Sequence, residues 1–109
     1  MNKYTHSNQA LIEAQKIIPT GSQTFSKSHY SLPKGGGPLF VEKGNGPHVW
    51  DLDNNRYIDL MNGLLCVSLG YKDIDVDFEI KRQLENGITF SLPHQLELQV
   101  SQLLVDLIP

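Results

Sequence analysis

The stretch "GNGPHVWDLDNNRYIDLMNG", Gly44 to Gly63, decides how the rest of the chain is read. Inside it, "HVWDLD" (His48–Asp53) and "RYIDLM" (Arg56–Met61) are strand-length runs rich in aromatic and branched residues, separated by Asp53-Asn54-Asn55. Just upstream, "PLFVEK" (Pro38–Lys43) is a third run, broken from the next by Gly44-Asn45-Gly46. Asn and Gly accept left-handed backbone angles, so both breaks suit tight hairpin turns. The sequence therefore predicts a three-stranded antiparallel meander. Alternation puts Trp50, Leu52, Ile58 and Leu60 on its inner face, and leaves Asp51, Asp53 and Asp59 as turn and solvent-face residues. The stretch ends in Met61-Asn62-Gly63, with no further strand to close it.

Helices flank the meander. Leu11, Ala14, Ile17 and Ile18 share a face in a helix expected from about Asn8 to Ile18, capped by Ser7 or Asn8 and stopped by Pro19 and Gly21. Between that helix and the first strand, residues 22–38 are rich in Ser, Gly and Pro and read as an extended loop. Downstream, Asp73 is a candidate cap for a helix with Val76, Ile80 and Leu84 as its apolar stripe and Gly87 as terminator. The last helix, about Gln95 to Leu107, carries Leu96, Val100, Leu103, Leu104 and Leu107 at the helical period. Three amphipathic helices and a small meander are too few elements to cover one another, so the apolar faces imply a missing partner.

The chain has 109 residues, a net charge of −3 and scattered Lys and Arg, which argues against nucleic-acid or membrane-surface binding. Its single cysteine, Cys66, excludes an internal disulfide and fits a reducing compartment, and its apolar surroundings suggest a small buried hydrophobe rather than a nucleophile. No segment has the length of a membrane span and no apolar leader opens the chain. A cytoplasmic protein is expected.

Few residues announce chemistry. His6, His29, His48 and His94 lack metal-ligand spacing, so no metal site is expected. "KGGGP" (Lys34–Pro38) has a loop before it and a strand after it, the wrong context for a phosphate cradle. Thr24, Ser26, Lys27, Ser28 and Tyr30 form a loop dense in donors, which suits either an anionic or sugar-like ligand or a solvated linker. On the residues alone, catalysis cannot be claimed.

Taken in order, "IPTGSQTFSK", "PLFVEKGNGPHVWDLDNNRYIDLMNGLLCVSLGY" and "NGITFSLPHQLELQVSQLLVDLIP" resemble the N-terminal portion of class III pyridoxal-phosphate-dependent aminotransferases. The nearest branch is the one related to glutamate-1-semialdehyde 2,1-aminomutase. The resemblance covers about Leu11 to Pro109. It implies an α/β protein of the fold type I transferases, α+β within this segment. Residues 1–109 would supply the N-terminal part of the small domain and the start of the large domain. The cofactor implied is pyridoxal 5′-phosphate; its Schiff-base lysine, phosphate loop and pyridinium-pairing aspartate are expected beyond this segment, which alone should be inactive. The partners implied are a small-molecule amino donor and a carbonyl acceptor, with a homodimer for the full-length protein.

Position by position, the resemblance gives Thr24 and Lys27 the places where the aminomutase has a serine and an arginine that bind substrate. Lys27 keeps the charge without the bidentate fork. Leu64, after Asn62-Gly63, stands where the aminomutase has a pocket-lining tryptophan. Gly63 joins Thr24, Lys27 and Leu64 as a candidate substrate contact, and Phe90, Ser91 and Pro93 form the expected active-site loop. Asn54 replaces a turn glycine, Thr89 replaces a serine, and His94 replaces the Thr of a capping box with Glu97, a change expected to weaken that cap. The changes at Lys27 and Leu64 favour a keto-sugar acceptor of the kind met in surface-polysaccharide synthesis. The semialdehyde aminomutase reaction and a non-catalytic interaction module are the alternatives.

Overall fold

The computed structural model describes residues 3–108. These fall into two units, one reaching Asp73 and the other beginning at Ile74.

The first unit holds the meander. Strands β1 (Val41–Asn45), β2 (His48–Asp51) and β3 (Arg56–Ile58) form one antiparallel sheet in the order β1-β2-β3, as the alternation and the Asn/Gly turns dictate. Gly44 pairs with Val49, and Val49 with Tyr57, so these positions share one face. That face is covered: Val49 is 7% exposed and Asp51 is 0% exposed, whereas Ile58 is 64% and Leu60 87% exposed. The expected sidedness of the sheet is thus reversed, and Asp51 is neither a turn nor a solvent-face residue. Its burial is tolerated because its carboxylate is saturated with donors. Oδ1 accepts from the backbone N–H of Asp53 (3.0 Å) and of Asn55 (2.8 Å). Oδ2 accepts from the Asn55 amide and the Tyr57 hydroxyl, each at 2.9 Å. Burial pushes the Asp51 carboxyl up, but the bonds from Asn55, Tyr57 and Asp53 outweigh it and hold it below its ordinary value. Burial and the same carboxylate push the Tyr57 hydroxyl well up.

Helix α1 runs from Thr5 to Gln15, three residues earlier than expected at its start and three earlier at its end. Its cap is not local. The N–H groups of His6 and Ser7 donate to the two carboxylate oxygens of Asp53 at 2.7 and 3.0 Å, across 47 and 46 residues of chain. A carboxylate against the first-turn N–H groups satisfies orphan donors and faces the positive end of the helix dipole. Ser7 is buried behind it instead of capping, and Asn8 is inside the helix. Leu11, Ala14 and Ile18 are half-buried, while Ile17 is exposed and not on the covered face. Gly21 ends the segment at φ 69°, where a Cβ would come within 2.8 Å of Leu11. The loop after it is partly folded into single 3-10 turns at Phe25–Lys27 and His29–Ser31. They are pinned together by the hydroxyls of Ser28 and Ser31, which both donate to the Phe25 carbonyl.

The second unit comprises α2 (Ile74–Asn86) and α3 (Gln95–Leu107), with Gly87 ending α2 at φ 94°. The α3 cap is complete despite its histidine: Nδ1 of His94 accepts from the Leu96 N–H at 3.2 Å, and Glu97 Oε1 accepts from the His94 N–H at 2.9 Å. The imidazole nitrogen substitutes for a hydroxyl oxygen, so the expected weakening is not seen in the geometry. Val76, Ile80 and Leu84 on α2, and Leu96, Val100, Leu103, Leu104 and Leu107 on α3, are all exposed. Among the described residues Val49 is the one hydrophobic side chain buried from solvent, which matches the shortage of covering elements expected from the sequence.

Candidate functional site

The backbone after β3 does something rare. Asn62, Gly63, Leu64 and Leu65 have φ of 48°, 57°, 59° and 73°, four left-handed residues in a row. The Met61 carbonyl accepts from the N–H groups of Leu64 (2.9 Å) and Leu65 (3.3 Å), and the Asn62 carbonyl from Val67 (2.9 Å). This is one turn of left-handed helix. Gly63 carries no penalty and Asn62 little, but Leu64 and Leu65 each cost about 1–2 kcal/mol there because Cβ crowds the following carbonyl.

A clasp offsets that strain. Asp59 Oδ1 accepts from the N–H groups of Met61 (2.8 Å) and Asn62 (3.2 Å), and Oδ2 accepts from the Tyr71 hydroxyl at 2.5 Å. The Tyr71 backbone exchanges hydrogen bonds with Gly46 at 2.8 and 2.9 Å, closing the loop onto the β1–β2 connection. The Tyr71 ring lies on Gly44, where an added Cβ would stand 2.7 Å from its Cδ1. The Tyr71 hydroxyl is the first cause that holds the Asp59 carboxyl below its ordinary value, against some burial, and the Asp59 carboxylate in turn raises the Tyr71 hydroxyl.

Of the residues singled out in the sequence, Gly63 and Leu64 sit in the left-handed turn, with Leu64 half exposed. Thr24 precedes the first 3-10 turn and its hydroxyl shares a 3.1 Å hydrogen bond with that of Ser26; Lys27 ends the turn and is exposed. Among the described residues no hydrogen bond joins the Thr24–Lys27 segment to the Gly63–Leu64 turn. In the second unit, Phe90 stacks on His94, ring centroids 5.4 Å apart, beside an open cleft of about 330 Å³ lined also by Gln83, Thr89 and Glu97. Ser91 and Pro93 flank Leu92 on that exposed loop.

Cys66 is exposed on the loop after the left-handed turn and is not the buried hydrophobe expected. No group of three or more metal-ligating side chains exists among the described residues, and no helix among them is long and apolar enough to cross a membrane. All seven lysines are exposed. A Schiff-base lysine needs a desolvated ε-amine beside its carbonyl partner, so this segment's residues do not themselves fit pyridoxal phosphate. Reading the sequence missed Asp59 and Tyr71. The signal was present in an Asp three residues before Asn62-Gly63, a spacing that lets a carboxylate close an Asx turn.

No family model matches the chain. An omega-transaminase from Sphaerobacter thermophilus superposes with a TM-score of 0.78 at 23% identity, over 92% of this chain and 22% of that one. A glutamate-1-semialdehyde aminomutase from Pseudomonas aeruginosa PAO1 superposes with a TM-score of 0.71 at 29% identity, over 89% of this chain and 21% of that one; a variant of it is known in complex with PMP. The fold is therefore that of a segment of the fold type I pyridoxal-phosphate-dependent transaminases. In sequence, the glutamate-1-semialdehyde 2,1-aminomutase of Chloroflexus aggregans is 35% identical over 107 residues, 98% of this chain and 24% of that protein. The chain corresponds to an N-terminal segment of the class III pyridoxal-phosphate-dependent aminotransferases, in the branch that holds these aminomutases. It spans about a quarter of the length of the curated relatives it matches.

Proposed function

We propose that this segment forms a substrate-side wall of a pyridoxal-phosphate-dependent aminotransferase that delivers an amino group to a carbonyl acceptor, with a keto-sugar as the acceptor class. Bound elsewhere in the full-length protein, the cofactor supplies the electron sink for amino transfer. The observation that carries the reading is the left-handed turn, which spends strain to present Leu64, and strain of this kind clusters at functional sites. Leucine at the position given to tryptophan by the aminomutase resemblance leaves room for a bulkier acceptor. Thr24 and Lys27 would supply a hydroxyl and a single positive charge to a hydroxylated or phosphorylated ligand, and Phe90, Ser91 and Pro93 would form an active-site loop of the full-length enzyme. Residues 1–109 would span the start of both domains of a homodimeric enzyme, and the apolar faces of α2 and α3 would be covered by the rest of it.

The second reading is a glutamate-1-semialdehyde aminomutase, which the names of the relatives favour. The two separate in one assay on the full-length protein loaded with pyridoxal phosphate. Amination of a nucleotide-linked keto-hexose with glutamate as donor, at a kcat/KM well above that for glutamate-1-semialdehyde, is the expected result. Efficient isomerisation of the semialdehyde with no keto-hexose turnover would replace the first reading by the second.

A further inference from the structure

Left-handed leucines do not hold themselves. Of the four residues in the turn only Gly63 is indifferent to the sign of φ, so the conformation persists only if its surroundings over-determine it. The over-determination is concentrated in one pair of side chains. Asp59 accepts from the first two N–H groups leading into the turn, as a cap does for an ordinary helix, and one oxygen is left for the Tyr71 hydroxyl. Tyr71 stands directly after Gly70, at the far end of the same loop, and is itself fixed by both backbone bonds to Gly46 and by its ring on Gly44. One hydrogen bond therefore joins the two ends of the segment that carries Leu64.

We propose that Asp59 and Tyr71 are positioning residues for acceptor selection: the Asp59 carboxylate, gripped by the Tyr71 hydroxyl, caps the start of the left-handed turn and so sets where Leu64 stands in the acceptor pocket. This rests on the reading of Leu64 as a pocket wall. Neither residue touches the acceptor. They act through the backbone angles of residues 62–65, so their loss redistributes Leu64 among positions instead of deleting a contact. The signature is a fall in discrimination between acceptors, larger than any fall in cofactor loading.

The test uses the full-length enzyme with pyridoxal phosphate, comparing kcat/KM for a small 2-keto acid and a nucleotide-linked keto-hexose, with cofactor absorbance as the measure of folded protein. Tyr71→Phe keeps the ring on Gly44 and removes only the hydroxyl. It should compress the ratio of the two kcat/KM values by about tenfold or more, tenfold being close to the low end of what one charge-assisted hydrogen bond supports, at unchanged loading. Asp59→Asn should compress it in the same direction. Leu65→Gly placed in the Tyr71→Phe background should restore part of the ratio, since glycine removes the left-handed cost at φ 73° that the clasp was offsetting. An unchanged ratio in Tyr71→Phe and Asp59→Asn, with Leu64→Ala shifting it, would overturn the positioning role and leave the pocket reading intact. An unchanged ratio in Leu64→Ala would overturn the pocket reading and this inference with it. Failure of Leu65→Gly to restore anything would show that the clasp acts by another route and overturn the inference alone.

Discussion

Asp51→Ala tests whether the sheet is organised around a buried charge. The substitution removes an acceptor from four donors: the N–H groups of Asp53 and Asn55, the Asn55 amide and the Tyr57 hydroxyl. Each donor left unsatisfied costs about 1–3 kcal/mol when sequestered. Asp53, Asn55 and Tyr57 are only half-buried, so water reclaims part of each loss and the low end applies. Four donors at about 1 kcal/mol give a loss of about 4 kcal/mol. Domains of this size are stable by about 5–15 kcal/mol, and one with so little buried apolar surface belongs at the bottom of that range. The sheet should therefore be left with only about 1 kcal/mol in Asp51→Ala, still mostly folded in water but melting at very low urea. Trp50, the only tryptophan, sits next in β2 and reports the transition by fluorescence during urea denaturation. Asp51→Asn keeps the shape and one acceptor oxygen but turns an amide toward the donors, and should lose about half as much. The control is Ile58→Ser on the exposed face, expected within about 0.5 kcal/mol of the parent. A midpoint for Asp51→Ala within the range of that control, at equal slope, would refute the reasoning.

Stability should fall at both ends of the pH scale, for opposite reasons. The carboxyls of Asp51 and Asp59 are held below their ordinary 3.8, so their contribution is present above that pH and is lost as pH falls through the lower folded values. The hydroxyls of Tyr57 and Tyr71 are raised above 10.0, so theirs is present below pH 10 and is lost as pH rises beyond it. Trp50 fluorescence across pH 2–12 should show a plateau between those limits; a transition centred near pH 6–7 would contradict the assignment. Gly44→Ala should drive its Cβ into the Tyr71 ring and cost about 1–3 kcal/mol, with faster exchange of the Gly46 and Tyr71 amides as the local readout. A neutral Gly44→Ala with unchanged exchange would mean that the ring is free to move.

Local patterns made much of the fold legible. The meander was readable because period-two runs alternate with Asn/Gly turns, and α3 because its leucines keep the helical period to its last turn. The start of α1 was not, because its cap comes from Asp53 and no local signal near Tyr4 announces a carboxylate from that far along the chain. The facing of the sheet was misread for a related reason. A charge is expected outside, and only the positions of Asn55 and Tyr57, four and six residues after Asp51, hint that its partners share its side. Within the candidate site, Gly63 and Leu64 came from the resemblance. Nothing in leucine's own preferences foretells two of them at positive φ, which depends on a tyrosine beyond the turn.

The cap on α1 also fixes an order of events during synthesis. An eleven-residue helix is marginal alone in water, and this one receives its first-turn acceptor only when Asp53 arrives. At about 5–20 residues per second, the 46 residues between Ser7 and Asp53 take roughly 2–9 s to make. Throughout that interval the beginning of the chain is a provisional structure, and it becomes permanent when the second hairpin closes on it.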